Sequence, residues 1–241
     1  MSNRGELTRQ RLLDAAERLF AERGVDAVSL REINAAAGQR NNAALYYHFR
    51  NRDGLFGAIA DRHLPRIAAR QQALFDQAER DGRLDDVRVM VEVIVRPSIE
   101  YIAAGPSERA WLRIASEFHA RPEPVRERIA TVSSAAAWNA GARLLDYLTD
   151  ERGLDRDFAV QRIWRAMEAC MHLVAGRARY EDAPDPRRVE PPLDMFIEDL
   201  LDTTCAALAA PISADTRAVL ERYSQGSNKP SNSSFPPVTR P

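Results

Sequence analysis

The sequence has few cysteines and no long apolar run, and each shortage excludes a class of protein. Only two of its 241 residues are cysteines, Cys170 and Cys205, and they have neither C-x-x-C nor metal-ligand spacing. We therefore expect two buried thiols in a reducing compartment. No run approaches the roughly 18 apolar residues of a membrane span, and MSNRGELTRQ lacks the apolar centre of a signal peptide. A cytoplasmic protein without a membrane partner is expected.

Motifs that carry catalysis are also missing. The sequence contains no G-x-S-x-G elbow, no phosphate-binding glycine loop, no dinucleotide fingerprint and no alternating strands to carry one. Arg113 and Glu117 are four apart and fit an exposed ion pair better than an acid–base couple. The histidines have no familiar ligand spacing; they are His48, His63, His119 and His172. We predict that the protein is not an enzyme and has no catalytic residue, metal site or cofactor.

What the sequence does contain is a pair of short helical patterns around a glycine, between Ser29 and Phe56. Ser29 and Glu32 have the S-x-x-E spacing of a capping box, which predicts the start of a helix. Gly38 stands where a left-handed residue would end that helix and turn the chain. The inward positions of the first helix are Leu30, Ile33 and Ala37.

The second helix of the pair shows polar and aromatic groups to solvent. Leu45 and Phe49 are four apart and should point to the core. Small and amide side chains on the other face would let the helix enter a major groove, where amides can pair with adenine. A helix-turn-helix that binds DNA is therefore favoured over a helical hairpin whose tyrosines pack on a neighbour. The outer surface comprises Asn42, Ala43, Tyr46 and Tyr47.

An amphipathic helix from Thr8 to Gly24 precedes the pair. Its apolar residues follow helical spacing, at Leu12, Ala16, Leu19 and Phe20. The segment RLLDAAERLFAERGVDAVSLREINAAAG followed by ALYYHFRNRDGL strongly resembles the TetR family of transcriptional regulators. The motif covers about the first quarter of the chain, and for the remainder only the length and the helical pattern agree.

The resemblance implies an all-α fold: an N-terminal three-helix helix-turn-helix domain, then a helical ligand-binding and dimerisation domain. We place these at residues 1–52 and 53–223, with a disordered Ser-, Asn- and Pro-rich tail at 224–241. The implied partners are a double-stranded DNA operator, a second copy of the chain and a small, partly apolar ligand that relieves repression. The alternative is a helical small-molecule-binding protein without sequence-specific DNA recognition.

The resemblance also assigns DNA contacts. Tyr46 and Tyr47 match family positions that touch phosphate or groove, and Arg52 stands where a lysine commonly contacts phosphate. The turn after Gly38 is one residue longer than usual, which leaves open which of its residues caps the recognition helix and which reads bases. The predicted DNA-binding residues are Ser29, Arg40, Asn41, Asn42, Ala43, Tyr46, Tyr47, His48 and Arg52.

The charge distribution is consistent with one DNA-binding end. The whole chain has a formal net charge of -1, but residues 1–66 hold 11 arginines and 8 acidic residues. The remainder is correspondingly acidic, as expected if only the N-terminal part meets phosphate. All the basic residues in this region are arginines. Arginine suits phosphate contacts, but the base composition of the genome alone would also favour arginine over lysine.

Prolines divide the second domain into helices. We predict helices over Gly54–Arg80, over Val87–Ala104 with a kink at Pro97 that frees a carbonyl, from Pro106, and from Pro124 to Leu144. Their aromatic stripes are core faces first, and some could line a ligand pocket. The predicted ligand-binding residues are Trp111, Phe118, Trp138 and His172.

Two further helices are predicted to form the dimer interface. The pattern over Asp157–Arg179 has two apolar faces, one for the domain's own core and one for a partner. With the helix over Leu193–Leu208 it would form half of a four-helix bundle completed by a symmetry mate. The predicted interface residues are Trp164, Met171, Phe196, Leu200 and Leu201.

Overall fold

The computed structural model describes residues 3–39, 43–117 and 134–225 of the chain. These residues form ten α-helices and one π-helical turn and contain no strand, so the all-α class expected from the sequence is confirmed. The helices are α1 (Asn3–Arg23), α2 (Leu30–Ala36), α3 (Ala43–Phe49), α4 (Arg52–Arg80), α5 (Val87–Ala104), α6 (Pro106–Ala115), α7 (Ala135–Asp146), α8 (Arg156–Asp182), α9 (Leu193–Ala209) and α10 (Ala214–Gln225). The π-helical turn, Tyr147–Glu151, continues α7.

Helices α5 and α6 begin where the sequence pattern places them. The Asp86 carboxylate caps α5 by accepting from the backbone N–H groups of Arg88 and Val89. Gly105 separates the two helices, and Pro106 is the first residue of α6, a position where a missing N–H costs no helical hydrogen bond. Both predicted helix starts are confirmed.

The proline inside α5 is accompanied by a side-chain hydrogen bond from α4. Pro97 has no N–H to donate to the preceding turn. In that turn the carbonyl of Ile94 accepts from Gln71 Nε2 at 3.1 Å. Gln71 is buried, and its oxygen accepts from the hydroxyl of Ser134 at 2.8 Å. One amide thus joins α4, α5 and the start of α7.

The prediction of a single long helix from Pro124 to Leu144 is wrong about where that helix begins. Residues 118–133 lie outside the described residues, but α7 begins only at Ala135. Ser134 has extended dihedrals, φ −69° and ψ 146°, and its hydroxyl accepts from the backbone N–H of Ala137 at 3.1 Å. The physical reason is that a serine side chain competes for backbone N–H groups and so starts a helix more readily than it continues one.

A single hydrophobic core extends from α1 to α9. Helix α6 is central, because it packs against α1, α4, α5 and α8. Helix α4 also packs on α5 and α7, and α8 packs on α9. Since α1 belongs to the predicted DNA-binding domain, that domain lies directly on the second one through α6. The predicted boundary after residue 52 stays a prediction; α4 begins there and runs on to Arg80.

Other expectations concern the thiols, membranes, metals and the tail. Cys170 is buried, and this burial raises its pKa to about 11, whereas Cys205 is half-buried. Within the described ranges, the helices are too short or too polar to cross a membrane, and no cluster of three or more His, Cys, Asp or Glu side chains is placed to hold a metal ion. The predicted tail beyond residue 225 lies outside the described residues.

Candidate nucleic-acid interface

The surface predicted to contact DNA rests on a small three-helix core. Leu12 and Phe20 of α1, Ile33 of α2 and Leu45 of α3 are almost completely buried. The inward positions expected from the amphipathic patterns are therefore confirmed. Helix α1 begins at Asn3, earlier than the expected start near residue 8. Because all three helices pack into one core, the outer face of α3 is held in a fixed orientation.

The start of α2 has the expected capping box. Ser29 Oγ accepts from the Glu32 N–H at 3.2 Å, and Glu32 Oε2 accepts from the Ser29 N–H at 2.8 Å. Arg23 Nη1 donates to the other carboxylate oxygen at 2.7 Å. The hydrogen bonds from Ser29 and then Arg23 lower the pKa of Glu32 to about 2. The Ser29 hydroxyl is used in this cap, and its DNA contact stays a prediction.

The turn between α2 and α3 begins with a left-handed glycine. Gly38 has φ +69°, as the sequence predicts, and the next N–H, of Gln39, donates to the Asn34 carbonyl at 2.9 Å. The left-handed glycine and this hydrogen bond end α2 and change the direction of the chain. Three predicted DNA-binding residues, Arg40, Asn41 and Asn42, lie outside the described residues.

Helix α3 presents its two tyrosines to solvent. Tyr46 is 56% and Tyr47 77% exposed, while Phe49 on the opposite side is buried. His48 is half-buried near the end of the helix, and its ring meets that of Tyr47 edge-on with centroids 5.1 Å apart. Ala43 is the first residue of α3. The helix thus carries an outward aromatic face on a buried apolar one, as predicted.

Arg52, predicted to contact phosphate, already has acceptors within the protein. Its Nη2 donates to the Val28 carbonyl at 2.8 Å, and its Nη1 lies 3.5 Å from the Asp26 carboxylate. The side chain is 34% exposed. Arg52 therefore joins the start of α4 to the connection before α2. A contact between Arg52 and a DNA phosphate would have to use the guanidinium N–H groups that do not bind Val28 or Asp26.

A buried polar cluster joins α1 to α4 and α6. Glu17 of α1 accepts from Arg62 Nη1 at 2.7 Å and from the Ser107 hydroxyl, and its Oε1 lies 3.3 Å from His63 Nε2. Burial raises the pKa of Glu17, but the hydrogen bonds from His63 and Ser107 and the nearby positive charges outweigh it, so the net pKa is lowered. A carboxylate of α1 thus joins that helix to α4 and α6.

Sequence reasoning missed this cluster. Glu17 lies four residues after Leu13 and three before Phe20, both of which are buried, so its position on the inward stripe of α1 was a usable signal. A second carboxylate contact between the N-terminal helices and α6 could not be expected from any sequence pattern. The carboxylate of Glu117, after α6, accepts from the Val25 N–H that follows α1.

The predicted ligand-binding residues are not gathered around one described cavity. Trp111 is only 3% exposed and its ring stacks on that of His63, with centroids 5.4 Å apart and an interplanar angle of 10°. It is a core residue, because the rings of His63 and Phe56 pack against it. His172 is exposed, and its Nδ1 lies 2.9 Å from the Glu168 carbonyl in the preceding turn. Its role in ligand binding stays a prediction.

The other two ligand predictions have different outcomes. Trp138 is half-buried on α7, and Phe118 lies outside the described residues. A cleft of about 140 Å³ lies elsewhere, between the start of α5 and the end of α7. Its lining includes Leu84, Met90 and Tyr147 but none of the four predicted residues.

The predicted dimer interface stays a prediction, and its five residues differ in burial within one chain. Leu200 and Leu201 are buried within one chain, so they cannot supply surface to a partner. The reason is that α9 turns these leucines toward α5 and α8. Trp164, Met171 and Phe196 are half-buried. The largest exposed apolar side chains on these two helices are Leu173 on α8 and Met195 on α9, 55% and 60% exposed.

Comparison with known proteins gives matches concentrated in the N-terminal region. Residues 12–59 match the family model described as "Bacterial regulatory proteins, tetR family". The HTH-type transcriptional repressor Rv1474c of Mycobacterium tuberculosis is 33% identical over 104 residues, 43% of this chain and 45% of that protein. The HTH-type transcriptional repressor ComR of Escherichia coli is 40% identical over 65 residues, 27% of this chain and 30% of that protein. The matches span less than half the length of these relatives.

Among solved structures, the chain is similar to SmeT, the repressor of the Stenotrophomonas maltophilia multidrug efflux pump SmeDEF. The sequences are 22% identical, the match covers 85% of this chain and 97% of that chain, and the TM-score is 0.49.

Proposed function

We propose that this chain is a DNA-binding transcriptional repressor similar to the tetR family of bacterial regulatory proteins, whose model matches residues 12–59. The observation that carries the proposal is the exposed aromatic face of α3, with Tyr46 and Tyr47 outward on a buried scaffold. Such a helix has the size and the hydrogen-bonding groups to enter a major groove. The names of two relatives, both repressors, support repression over activation. A genome-binding repressor would work in the cytoplasm.

The DNA contacts divide by role. Tyr47, at the most exposed point of α3, would position the protein on phosphates, with Arg52 adding a contact from the start of α4. Asn42, next to the first residue of α3, would read a base edge through its amide. Asn42→Ala should then relax preference at one or two base pairs by about 1–3 kcal/mol. Equal losses for every sequence would reject a base-reading role.

The proposed active form is a homodimer. Leu173 and Met195 lie on neighbouring helices and are exposed, which favours a face that packs against a second copy. A two-fold pair of such faces would make a four-helix bundle from α8 and α9 of each chain. The two copies of α3 would then meet successive major grooves, about 34–36 Å apart.

The proposal also includes a small, partly apolar ligand that releases the protein from DNA. A ligand can release DNA only if it binds better when the two DNA-binding domains are wrongly spaced. The route to those domains runs through α6, which holds α1 with Ser107 and the following connection with Glu117. A coupling of about 1–3 kcal/mol would weaken DNA binding 5–150-fold, and DNA would weaken ligand binding equally.

DNA selection from a random-sequence library tests the central part. We expect the wild-type protein to enrich one duplex and to bind it more tightly than a scrambled duplex, with affinity that falls as salt rises. Tyr47→Ala should weaken both duplexes, while the matched control Tyr180→Ala on α8 should not. The alternative, a helical small-molecule-binding protein, would give neither enrichment nor a steep salt dependence.

Ligand release is tested separately. Compounds that raise the melting temperature are titrated into the protein with and without the selected duplex. A reciprocal loss of affinity supports release, whereas unchanged ligand affinity for every compound would reject it and leave DNA binding intact.

A further inference from the structure

Arg50, between α3 and α4, has an unusual backbone conformation. Its φ is +65°, and it is the one non-glycine residue with positive φ among residues 3–39, 43–117 and 134–225. This left-handed region is strained for residues with a Cβ and is normally filled by glycine, or less often by asparagine or aspartate. The conformational preference of the backbone therefore does not explain why an arginine occupies this position.

Backbone and capping contacts lie on both sides of this residue. The Arg50 N–H donates to the Tyr46 carbonyl at 3.0 Å and closes the last turn of α3. Asn51 then caps α4 by accepting from the Gly54 N–H at 2.8 Å. A Cβ added at Gly54 would lie only 1.9 Å from the Phe49 carbonyl oxygen, so the backbones of α3 and α4 approach each other closely at this junction. The left-handed residue thus lies in a closely packed junction between the two helices.

The Arg50 side chain makes no contact that would explain its presence. It is exposed, and within the described part of the chain its guanidinium has no ion pair or hydrogen bond. Arg52, two residues later, differs because it is bound to Val28 and Asp26. Arg50 is thus an uncompensated cation one residue after the helix that exposes Tyr46 and Tyr47.

We propose that Arg50 is a DNA phosphate contact, and that the strained backbone is retained because it holds this cation at the edge of α3. The inference rests on the proposed function, since it names a contact of the same DNA-binding surface. Glycine would serve the turn better, so stability cannot account for the arginine. Strain kept at an exposed charged residue is typical of a functional site.

The experiment uses the full chain with Arg50 changed to Gly, Asn or Lys, and Arg217→Asn on α10 as an exposed control. Arg50→Gly should raise the melting temperature by about 2 °C, because it removes the left-handed strain. It should also weaken the selected and the scrambled duplex about equally. The slope of log affinity against log salt should fall by about one for each DNA-binding domain. Arg50→Asn should flatten the slope likewise, whereas Arg50→Lys and the control should retain it.

The outcomes separate this inference from the proposed function. Wild-type binding together with an unchanged salt slope for Arg50→Gly and Arg50→Asn would overturn the assignment of Arg50 alone. A lower melting temperature for Arg50→Gly would also overturn it, because the side chain would then be structural. If the wild-type protein bound neither duplex, the proposed function would fail and this assignment with it.

Discussion

Both carboxylate oxygens of Glu117 accept from the backbone N–H of Val25, at 3.1 and 3.3 Å. Val25 is buried in the connection between α1 and α2, whereas Glu117 directly follows α6 of the second domain. Gly24 beside it is left-handed, with φ +90°, and a Cβ there would lie 3.3 Å from the same carboxylate. A displacement of α6 would therefore act, through the Glu117 side chain, on the backbone that connects α1 to α2 in the proposed DNA-binding domain.

Removal of the Glu117 carboxylate should loosen the DNA-binding domain. Glu117→Ala would leave the buried Val25 N–H without this acceptor, which typically costs about 1–3 kcal/mol of unfolding free energy. Urea unfolding and hydrogen exchange at Val25 measure the effect. Glu117→Gln keeps one oxygen and should lose less. Wild-type stability and exchange in Glu117→Ala would show that the contact does not hold the two domains.

The Glu17 cluster should make stability depend on acid. The pKa of Glu17 is lowered on folding, so its contribution is present above about pH 4.3, the unfolded value, and is lost as pH falls through the lower folded value. Glu17→Gln should flatten this part of the stability–pH curve. Ser107→Ala removes one hydrogen bond and should flatten it less. A curve for Glu17→Gln that is parallel to wild type throughout would contradict the cluster's role.

The capping box at α2 should also make stability depend on acid. Because the pKa of Glu32 is lowered to about 2, its contribution should be intact above about pH 4.3 and lost as pH falls through about 2. Ser29→Ala removes the largest cause of this shift. The pKa of Glu32, followed by NMR, should then rise toward the ordinary value; a pKa that stays near 2 would assign the shift to the backbone N–H of residue 29 and to Arg23 instead.

Dimerisation should depend on exposed apolar residues and not on buried leucines. Leu173→Glu places a charge on the exposed face of α8 and should dissociate the dimer while helicity is retained. Leu201→Glu buries an unpaired charge within one chain and should unfold it. Ultracentrifugation and circular dichroism distinguish the two results. A Leu173→Glu dimer of wild-type affinity would place the interface on another surface.

The parts of the fold that sequence predicts best are those set by local chemistry. The Ser29–Glu32 box, the left-handed Gly38 and the helix over Val87–Ala104 depend on residues close in the chain, and all are present. The inward and outward sides of α3 follow from helical spacing alone, which is why Leu45 is buried and Tyr47 exposed.

The parts that sequence does not predict depend on contacts between distant residues. Periodicity marks Leu201 as apolar but does not say whether its own chain or a partner covers it. Likewise, Trp111 has the pattern of a possible pocket residue, and only the stacking of His63 on it reveals a filled core. The Glu117–Val25 contact spans 92 positions and joins a side chain to a backbone group, for which no sequence pattern exists.

A hydroxyl-radical footprint on the selected duplex tests the central claim most directly. A dimer that places one α3 in each of two successive major grooves should protect two half-sites about 10–10.5 base pairs apart, centre to centre. Tyr47→Ala should weaken both protections together. Uniform cleavage along the duplex, or a protected pattern that Tyr47→Ala leaves unchanged, would contradict the account of α3 as the DNA-reading helix.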